Sequence, residues 1–427
     1  MTKFRWLMLG LLFAATTVNY LDRIVLGVVI KNVRENFHIS DSDYGNITAA
    51  FQFAYMIGFL IAGWLIDKVG TKVGYAISIA WWSVAAMLHG FASGALSLAF
   101  WRGMLGLGEA GNFPSAIKAV AEWFPKKDRA FATGIFNAGT NVASMVGPPI
   151  FAWMVIHMDW RQCFYITGGF GFLWLILWIT LYQTPRRHPR INQEEIDYIE
   201  SDPESREAGQ PAIGWRKAVG YRQTWGFALA KFFSDPVWWF YLYWLPPYLY
   251  DVRKFNITEV GWTLPAVYLM ADFGSVFGGW LSGFLIRRGM PNGKARKTVM
   301  LSMAICMPIA ALCAFAPDAL LAIALVSLAT AAHQGWSANL FTTTSDVFPK
   351  RAVASVTGIG GSVGALGGVL FTGLLPGYIV QNFGYPPMFV IMGSFHLVAF
   401  FFVHLLMRDM KPLIITNEIA TDTNVIQ

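Results

Sequence analysis

Four ionisable residues of the chain's first half, Asp22, Arg23, Arg102 and Glu109, stand inside stretches otherwise built of apolar side chains. A charge in such a setting is costly and marks a functional site. Asn19 lies three and four residues before Asp22 and Arg23, so the three share a broad helical face. Arg102 and Glu109 are seven residues apart, two turns along one face. Counted from the outer end of the helix, Asp22 lies about 12 Å deep, Arg102 about 9 Å and Glu109 about 20 Å. Arg23 and Arg102 therefore meet at one depth, with Glu109 beyond them. Two guanidiniums at one depth make an anion site, because their donor forks match a carboxylate. Asp22 and Glu109 offset that charge, and each acid is a candidate proton carrier, since burial and a neighbouring arginine pull a carboxyl in opposite directions. The alternative is a set of fixed ion pairs, Asp22–Arg23 and Arg102–Glu109, that specify helix packing.

Other apolar stretches carry hydrogen-bonding groups. Gln52 and Tyr55 share one, and His333, Gln334, Ser337 and Asn339 crowd another, with His333 and Ser337 on one face. Lys231 and Asp235 are four apart and can pair along a helix. Trp238, Trp239, Tyr241, Tyr243 and Trp244 follow. Their planes and hydroxyls suit a sugar-like solute, with Trp239 as the contact residue, although packing explains most of them equally well. Asp272 has two readings, site residue or helix-pairing residue. His89, His396 and His404 stand alone near helix ends and read as packing or interfacial groups. Cys163, Cys306 and Cys313 lack metal-ligand spacing and read as small core residues.

The elements that must position these groups are membrane helices. Of 427 residues, 55% are hydrophobic, 16% aromatic and 13% charged. The charged share is about half the soluble norm, too little to cover so much apolar surface in a soluble fold, and the same numbers exclude disorder. Twelve apolar runs, from 6–29 to 386–407, reach the roughly 20 residues that cross a bilayer as a helix. Among them 96–118, 298–316 and 352–380 are each expected as one span. The first run contains Asn19, Asp22 and Arg23 and lacks a cleavage pattern, so it is not a signal peptide. Continuous runs argue against a transmembrane β-barrel. Of 32 Lys and Arg, 24 fall on one side of the twelve spans, 5 on the other and 3 within. The chain carries a net charge of +7, and the positive-inside rule then places both termini in the cytoplasm.

The polar connection 184–222 divides the chain into a six-helix half, 1–183, and a second, 223–410, with a mobile cytoplasmic tail expected at 411–427. Ile191, Ile196 and Ile199 among acids predict one short amphipathic helix in the connection, the rest being flexible linker. The halves repeat. A shift of 224 lays Glu122-Trp123-Phe124-Pro125-Lys126-Lys127 on Asp346-Val347-Phe348-Pro349-Lys350-Arg351, and Thr133-Gly134-Ile135 on Thr357-Gly358-Ile359. A shift of 216 lays Gly63-Trp64-Leu65 on Gly279-Trp280-Leu281. Two parallel six-span repeats suit a carrier rocking about a central site. A channel would show a filter or charged ring, an enzyme a metal cluster, an activated nucleophile or a phosphate loop, and an ATP-driven pump a nucleotide domain. The sequence carries none of these.

Gly63-Trp64-Leu65-Ile66-Asp67-Lys68-Val69-Gly70-Thr71-Lys72 is a basic turn at a helix end. Gly63 permits close helix contact and Gly70 unusual backbone angles. An acid at a helix C-terminus is unfavourable unless paired, so Asp67 reads as a gate residue meeting a helix N-terminus of the other half. Gly283 stands in its place in the second half. Further blocks are Gly70-Thr71-Lys72-Val73-Gly74-Tyr75-Ala76, Glu122-Trp123-Phe124-Pro125, Ala332-His333-Gln334, Ser345-Asp346-Val347-Phe348 and Asn19-Tyr20-Leu21-Asp22-Arg23. On these blocks the chain resembles, over nearly its whole length, the anion–cation symporter branch of the major facilitator superfamily, and most of all bacterial hexuronate transporters. The resemblance implies an all-α membrane protein with the major facilitator fold, 12 transmembrane helices in two six-helix halves. It implies a functional monomer in the bacterial cytoplasmic (inner) membrane, with no nucleic-acid partner. The implied activity is proton-coupled import, by alternating access, of a sugar acid, a hexuronate such as glucuronate or galacturonate. Protons are the coupling ion, and no cofactor or metal is expected. Arg23 and Arg102 match the branch's substrate-carboxylate arginines, and Asp22 and Glu109 its proton-coupling acids. One departure is Asp22, an acid present in aldonate transporters and absent from the best-known hexuronate transporters. It keeps proton symport of an aldonate, glucarate or other organic anion as the alternative, with uncoupled facilitation of such anions as another.

Overall fold

The computed structural model describes residues 3–201, 215–348, 350–408 and 410–413, without the side chains at 60, 63, 64, 67, 126, 127, 129–131, 215, 345, 350, 351 and 354. The expected tail beyond 413 and the middle of the expected linker lie outside the described residues. The described chain is helical, with no strand. The helices are α1 (Phe4–Phe37), α2 (Asp41–Val69), α3 (Thr71–Leu88), α4 (Ala95–Glu109), α5 (Asn112–Trp123), α6 (Lys126–His157), α7 (Trp160–Leu181) and α8 (Gln193–Ile199). They continue with α9 (Trp215–Ala218), α10 (Arg222–Asp251), α11 (Ile257–Arg287), α12 (Asn292–Cys306), α13 (Ile309–Leu312), α14 (Ala319–Val347), α15 (Lys350–Gly368), α16 (Leu375–Phe383) and α17 (Pro386–Met407). A helix satisfies its own backbone polar groups, which is what lipid demands of a spanning segment. Among the described residues, nine helices are long and apolar enough to cross a membrane. Helices also occupy the three other expected spans, as α2, as α4 with α5, and as α10. Large apolar side chains stay exposed along them, Phe91, Trp262, Val276, Phe315 and Leu320 among others, as a lipid-facing surface requires.

Three spans expected to be single are not uniform. Residues 96–118 break at Ala110 and Gly111, and 298–316 breaks at Met307 and Pro308, where proline cannot donate the next helical hydrogen bond. Residues 352–380 pass through a π turn over Val369–Leu374.

The chain forms two compact units. The first comprises Met1–Ile39, Ala50–Gly209 and Phe255–Pro265, the second Ser40–Ala49, Gln210–Lys254 and Ala266–Gln427. The second unit thus includes the first turns of α2. There Ser42 donates its N–H to Gln381 at 3.0 Å, Tyr44 donates to the Tyr243 carbonyl at 2.7 Å, and Gly45 lies against the backbone of Gly373 and Gly377. The first turns of α11 belong to the first unit in the same way, with Gly261 packed on Pro148, Pro149 and Ala152. In the first unit α1 packs along α6, and α3 along α4 and α7. In the second, α10 packs along α15, and α12 along α14 and α17. This is the same order of pairs moved on by six spans, so the sequence repeat is a repeat of packing.

The repeated acids act alike. Glu122 accepts the Thr71 hydroxyl at 2.5 Å and the Tyr182 hydroxyl, tying α5 to the start of α3 and the end of α7. The Trp123 indole donates to the Gln183 carbonyl at 3.1 Å. In the second unit Asp346 accepts Arg296 Nε at 3.2 Å, and the same guanidinium donates to Ser282 at 2.7 Å and Asn339 at 3.3 Å, tying α14 to α11 and the start of α12.

The connection between halves is less of a tether than expected. After a turn at Pro185–Arg187, α8 docks on the first unit. The Glu195 carboxylate accepts the backbone N–H groups of Phe4 and Arg5, each at 3.2 Å, and lies 3.6 Å from the Arg5 guanidinium. It satisfies donors that a helix start leaves open, where negative charge is favoured. Tyr198 donates to Asp128 at 2.7 Å, and the His188 ring packs on Phe4 and Trp123. Residues 185–201 are therefore a strap built into the first unit, which corrects the reading of everything beyond the amphipathic helix as flexible.

Glu122→Ala leaves two buried hydroxyls without their acceptor and is expected to cost about 1–3 kcal/mol of stability, read as a lower Tm of detergent-purified protein. Glu200→Ala removes only the solvated partner of Arg186 and should leave Tm unchanged.

Candidate functional site

In the first unit Gly106 lets α4 close on α2, because a Cβ there would overlap the Phe51 carbonyl. This approach carries Arg102 and Glu109, one turn to either side of Gly106, to Arg23 on α1. Arg23 donates from Nε and from a terminal nitrogen to the same oxygen of Glu109, at 2.9 and 2.7 Å. The pair is buried, with side chains 2% and 0% exposed. Arg102 donates to the carbonyls of Asp22 at 3.3 Å and Arg23 at 2.5 Å. An ion pair thus forms between Arg23 and Glu109, across α1 and α4, a pairing that spacing within one helix does not offer. Aromatic faces complete the setting. The Phe51 ring centre is 5.1 Å from the Arg23 guanidinium and 4.9 Å from that of Arg102, and Tyr20 and Tyr55 lie 4.6 and 4.7 Å from Arg23. A desolvated guanidinium gains most from such faces.

Around this pair stand buried polar atoms without a hydrogen-bond partner: both amide atoms of Asn19 and of Gln52, both oxygens of Asp22 and Oε1 of Glu109. Asp22 faces Thr167 of α7. Buried polar groups are nearly always satisfied, so the open ones on α1, α2 and α4 leave donors and acceptors available to a polar ligand. Asn19, Asp22, Arg23, Gln52, Tyr55, Arg102 and Glu109 all fall in this first unit. Sequence reasoning missed Phe51 and Tyr20. The available signal was spacing, since Phe51 stands four residues before Tyr55 and Tyr20 lies within the Asn19–Arg23 block.

The second unit holds the other candidates. His333 is buried, its Nδ1 3.1 Å from Nε2 of His396, and its ring stacks on Trp238 at 5.8 Å. His396 is therefore no solitary packing residue but the partner of His333, an association between α14 and α17 that spacing cannot show. His89 does pack, stacked on Phe164 with a ring nitrogen 2.7 Å from the Ala85 carbonyl. Trp239, Gln334 and Ser337 are half-buried on α10 and α14. Asn339 departs from the expected role. Its amide donates to the carbonyls of Gly278 at 3.0 Å and Gly335 at 2.9 Å and its oxygen accepts from Arg296, so its groups are spent on helix packing. Among the described residues no cluster of His, Cys, Asp and Glu could hold a metal ion.

The side chains of Gly63 and Asp67 lie outside the described residues. Gly70 is described and has φ 84°, the left-handed region that favours glycine. The turn is held from inside the first unit, since the Ile66 carbonyl at the end of α2 accepts the Gly70 N–H at 3.0 Å and the Lys118 ammonium at 3.1 Å.

A family model described as "Major Facilitator Superfamily" matches residues 12–372. A hexuronate transporter of Escherichia coli K12 is 32% identical over 425 residues, 98% of this chain and 97% of that protein. A D-galactonate transporter of Escherichia coli O6:H1 is 31% identical over 421 residues, covering 95% and 96%. A probable galactarate/D-glucarate transporter of Escherichia coli K12 is 32% identical over 396 residues, covering 88% of each. In structure, a bacterial homologue of the human lysosomal transporter Spinster superposes with a TM-score of 0.74 at 19% identity, over 96% of this chain and 98% of that one.

Arg23→Ala strands the Glu109 carboxylate in a buried setting and is expected to cost about 3–5 kcal/mol of stability. Arg102→Ala leaves two carbonyls short of a donor and should cost less, about 1–3 kcal/mol. Thermal unfolding of the purified variants orders the two, and an equal or larger loss for Arg102→Ala would refute the assignment of the ion pair.

Proposed function

The chain belongs to the Major Facilitator Superfamily, and on that premise we propose that it imports a monovalent sugar acid together with protons by alternating access. It is a multi-pass membrane transporter and not an enzyme. The sugar acid proposed first is a hexuronate, glucuronate or galacturonate, since a hexuronate transporter is similar over nearly the full length of both chains. The membrane is the bacterial inner membrane, with both termini cytoplasmic, in line with the side preference of Lys and Arg.

The observation that carries the reading is the buried Arg23–Glu109 ion pair beside Arg102. The substrate's carboxylate and the carboxylate of Glu109 are the same chemical group competing for one guanidinium. When the substrate takes Arg23, Glu109 loses its counter-charge and accepts a proton. When Glu109 is protonated, Arg23 is released for the substrate. Each event favours the other, as linkage requires. Arg102 supplies the second fork, and Asn19, Gln52 and Tyr55 hydrogen-bond the sugar hydroxyls. In the second unit His333, Gln334, Ser337 and Trp239 are the proposed hydroxyl and ring contacts. With one proton per monoanion the loaded carrier gains no net charge, whereas a second proton, on Asp22, makes import electrogenic and lets a negative-inside potential drive it. Asp22 is also the observation that favours an aldonate over a hexuronate.

The expected outcome for Glu109→Gln in proteoliposomes is that counterflow exchange of labelled hexuronate persists while accumulation driven by a pH gradient falls to simple equilibration. Arg102→Lys, which loses the fork, should lose both. Gradient-driven accumulation at the wild-type level in Glu109→Gln would overturn the role of Glu109. Uptake by the wild-type protein that ignores the pH gradient would return an uncoupled facilitator.

A further inference from the structure

The apolar runs of the second half hold a single Lys or Arg, Lys231. Its ammonium lies 2.7 Å from the carboxylate of Asp235, one turn along α10. The pair is built in. Gly364 of α15 lies so close to the Asp235 carboxylate that a Cβ would overlap it, and the ammonium sits 4.3 Å over the Phe341 ring of α14 and 5.9 Å from that of Phe227. Lys231 is 6% exposed and Asp235 18%, so the pair is deep without being sealed. It lies on the face of α10 that continues one turn on to Trp238, which stacks on His333, and Lys231 is within electrostatic reach of that ring.

Taking both ions of such a pair out of water is costly before their attraction is counted. A carrier that needed only a neutral helix could place two apolar residues here. What the pair supplies is hydrogen bonding without net charge: ammonium donors and carboxylate acceptors side by side, the pattern that fits vicinal hydroxyls. A carboxylate arriving at the same place meets the charge of Asp235 and no free cation. We propose that the Lys231–Asp235 pair sets substrate class, admitting the hydroxylated end of a sugar monoacid and rejecting the second carboxylate of a six-carbon diacid such as glucarate or galactarate. This rests on the sugar-acid reading above and deepens it. It works as exclusion of the wrong ligand rather than added grip on the right one, because Asp235 neutralises a cation that would otherwise be the natural partner of a second carboxylate.

The test is competition in proteoliposomes holding the full chain. Unlabelled galacturonate and glucarate compete against labelled galacturonate in counterflow, for the wild type, for Asp235→Asn and for the double variant Lys231→Gln/Asp235→Asn. Wild type should prefer the monoacid. Asp235→Asn leaves Lys231 charged and should move the glucarate-to-galacturonate ratio toward the diacid by roughly tenfold or more, the worth of one charge-assisted hydrogen bond. The double variant removes both charges at nearly constant shape and should lose that gain. Equal competition by the two acids in the wild type overturns the inference whether or not Asp235→Asn folds. So does an unchanged ratio in monodisperse Asp235→Asn, or a gain that survives in the double variant. Absence of exchange with either acid in the wild type overturns the sugar-acid reading itself, and this inference with it.

Discussion

A charge inside a bilayer must find its opposite or stay in water, and the first unit is organised around one such obligation. Arg23 and Glu109 lie on helices far apart in sequence, and their pairing fixes how α1 meets α4. Arg102 follows from that contact, because its donors reach the carbonyls of the residues that bear the pair's other side. Phe51 follows as well, since a ring against two guanidiniums is held only where α4 approaches α2 without a Cβ at Gly106. The pair is expensive by the ordinary accounting of buried ions. Asn19, Asp22, Gln52 and Glu109 carry buried polar atoms without a hydrogen-bond partner, and on the proposed reading these make the locus a site and not only a joint.

Each unit also holds its own helices together at their ends. The acids repeated in the two halves do this in the same way. Glu122 joins α5 to α3 and α7, and Asp346 joins α14 to α12 through Arg296. These ties lie at helix ends, away from the intramembrane charges. On the proposed mechanism, a proton and an anion exchange at Arg23 while these ties at the helix ends stay in place. The strap from Pro185 to Ser201 adds a further closure of this kind, with Glu195 on the start of α1.

Much of this was legible in the sequence, for identifiable reasons. Apolar run length is a one-dimensional signal, so the helical membrane architecture could be read directly. The intramembrane charges could be read because they contrast with their neighbours. Pairing could not. Helical periodicity relates residues within one helix, and so it offered Asp22–Arg23 and Arg102–Glu109, whereas the ion pair runs between helices. The same limit hid His396, whose partner His333 lies 63 residues away, and it misassigned Asn339, whose polarity is consumed by the carbonyls of Gly278 and Gly335. The interruptions of the expected spans at 96–118 and 352–380 escaped because small residues signal close packing without saying which helix they pack against.

On the proposed mechanism the site connects selectivity with energy coupling through a single contact. For a neutral sugar, binding would depend on hydroxyl and ring contacts alone, and nothing in them would disturb Arg23–Glu109. Only a ligand carrying a carboxylate can displace Glu109 from its guanidinium, because only an ion of the same sign and shape offers Arg23 an equal exchange. On the proposed mechanism the group that makes the solute a substrate is therefore the group that makes the carrier accept a proton. Anion recognition and coupling cannot be separated by improving one at the expense of the other. Strengthening Arg23–Glu109 would weaken binding, and weakening it would leave a buried charge without a partner in the empty carrier. The concentration of aromatic faces on Arg23 fits that balance, since Tyr20, Phe51 and Tyr55 stabilise the guanidinium through either exchange.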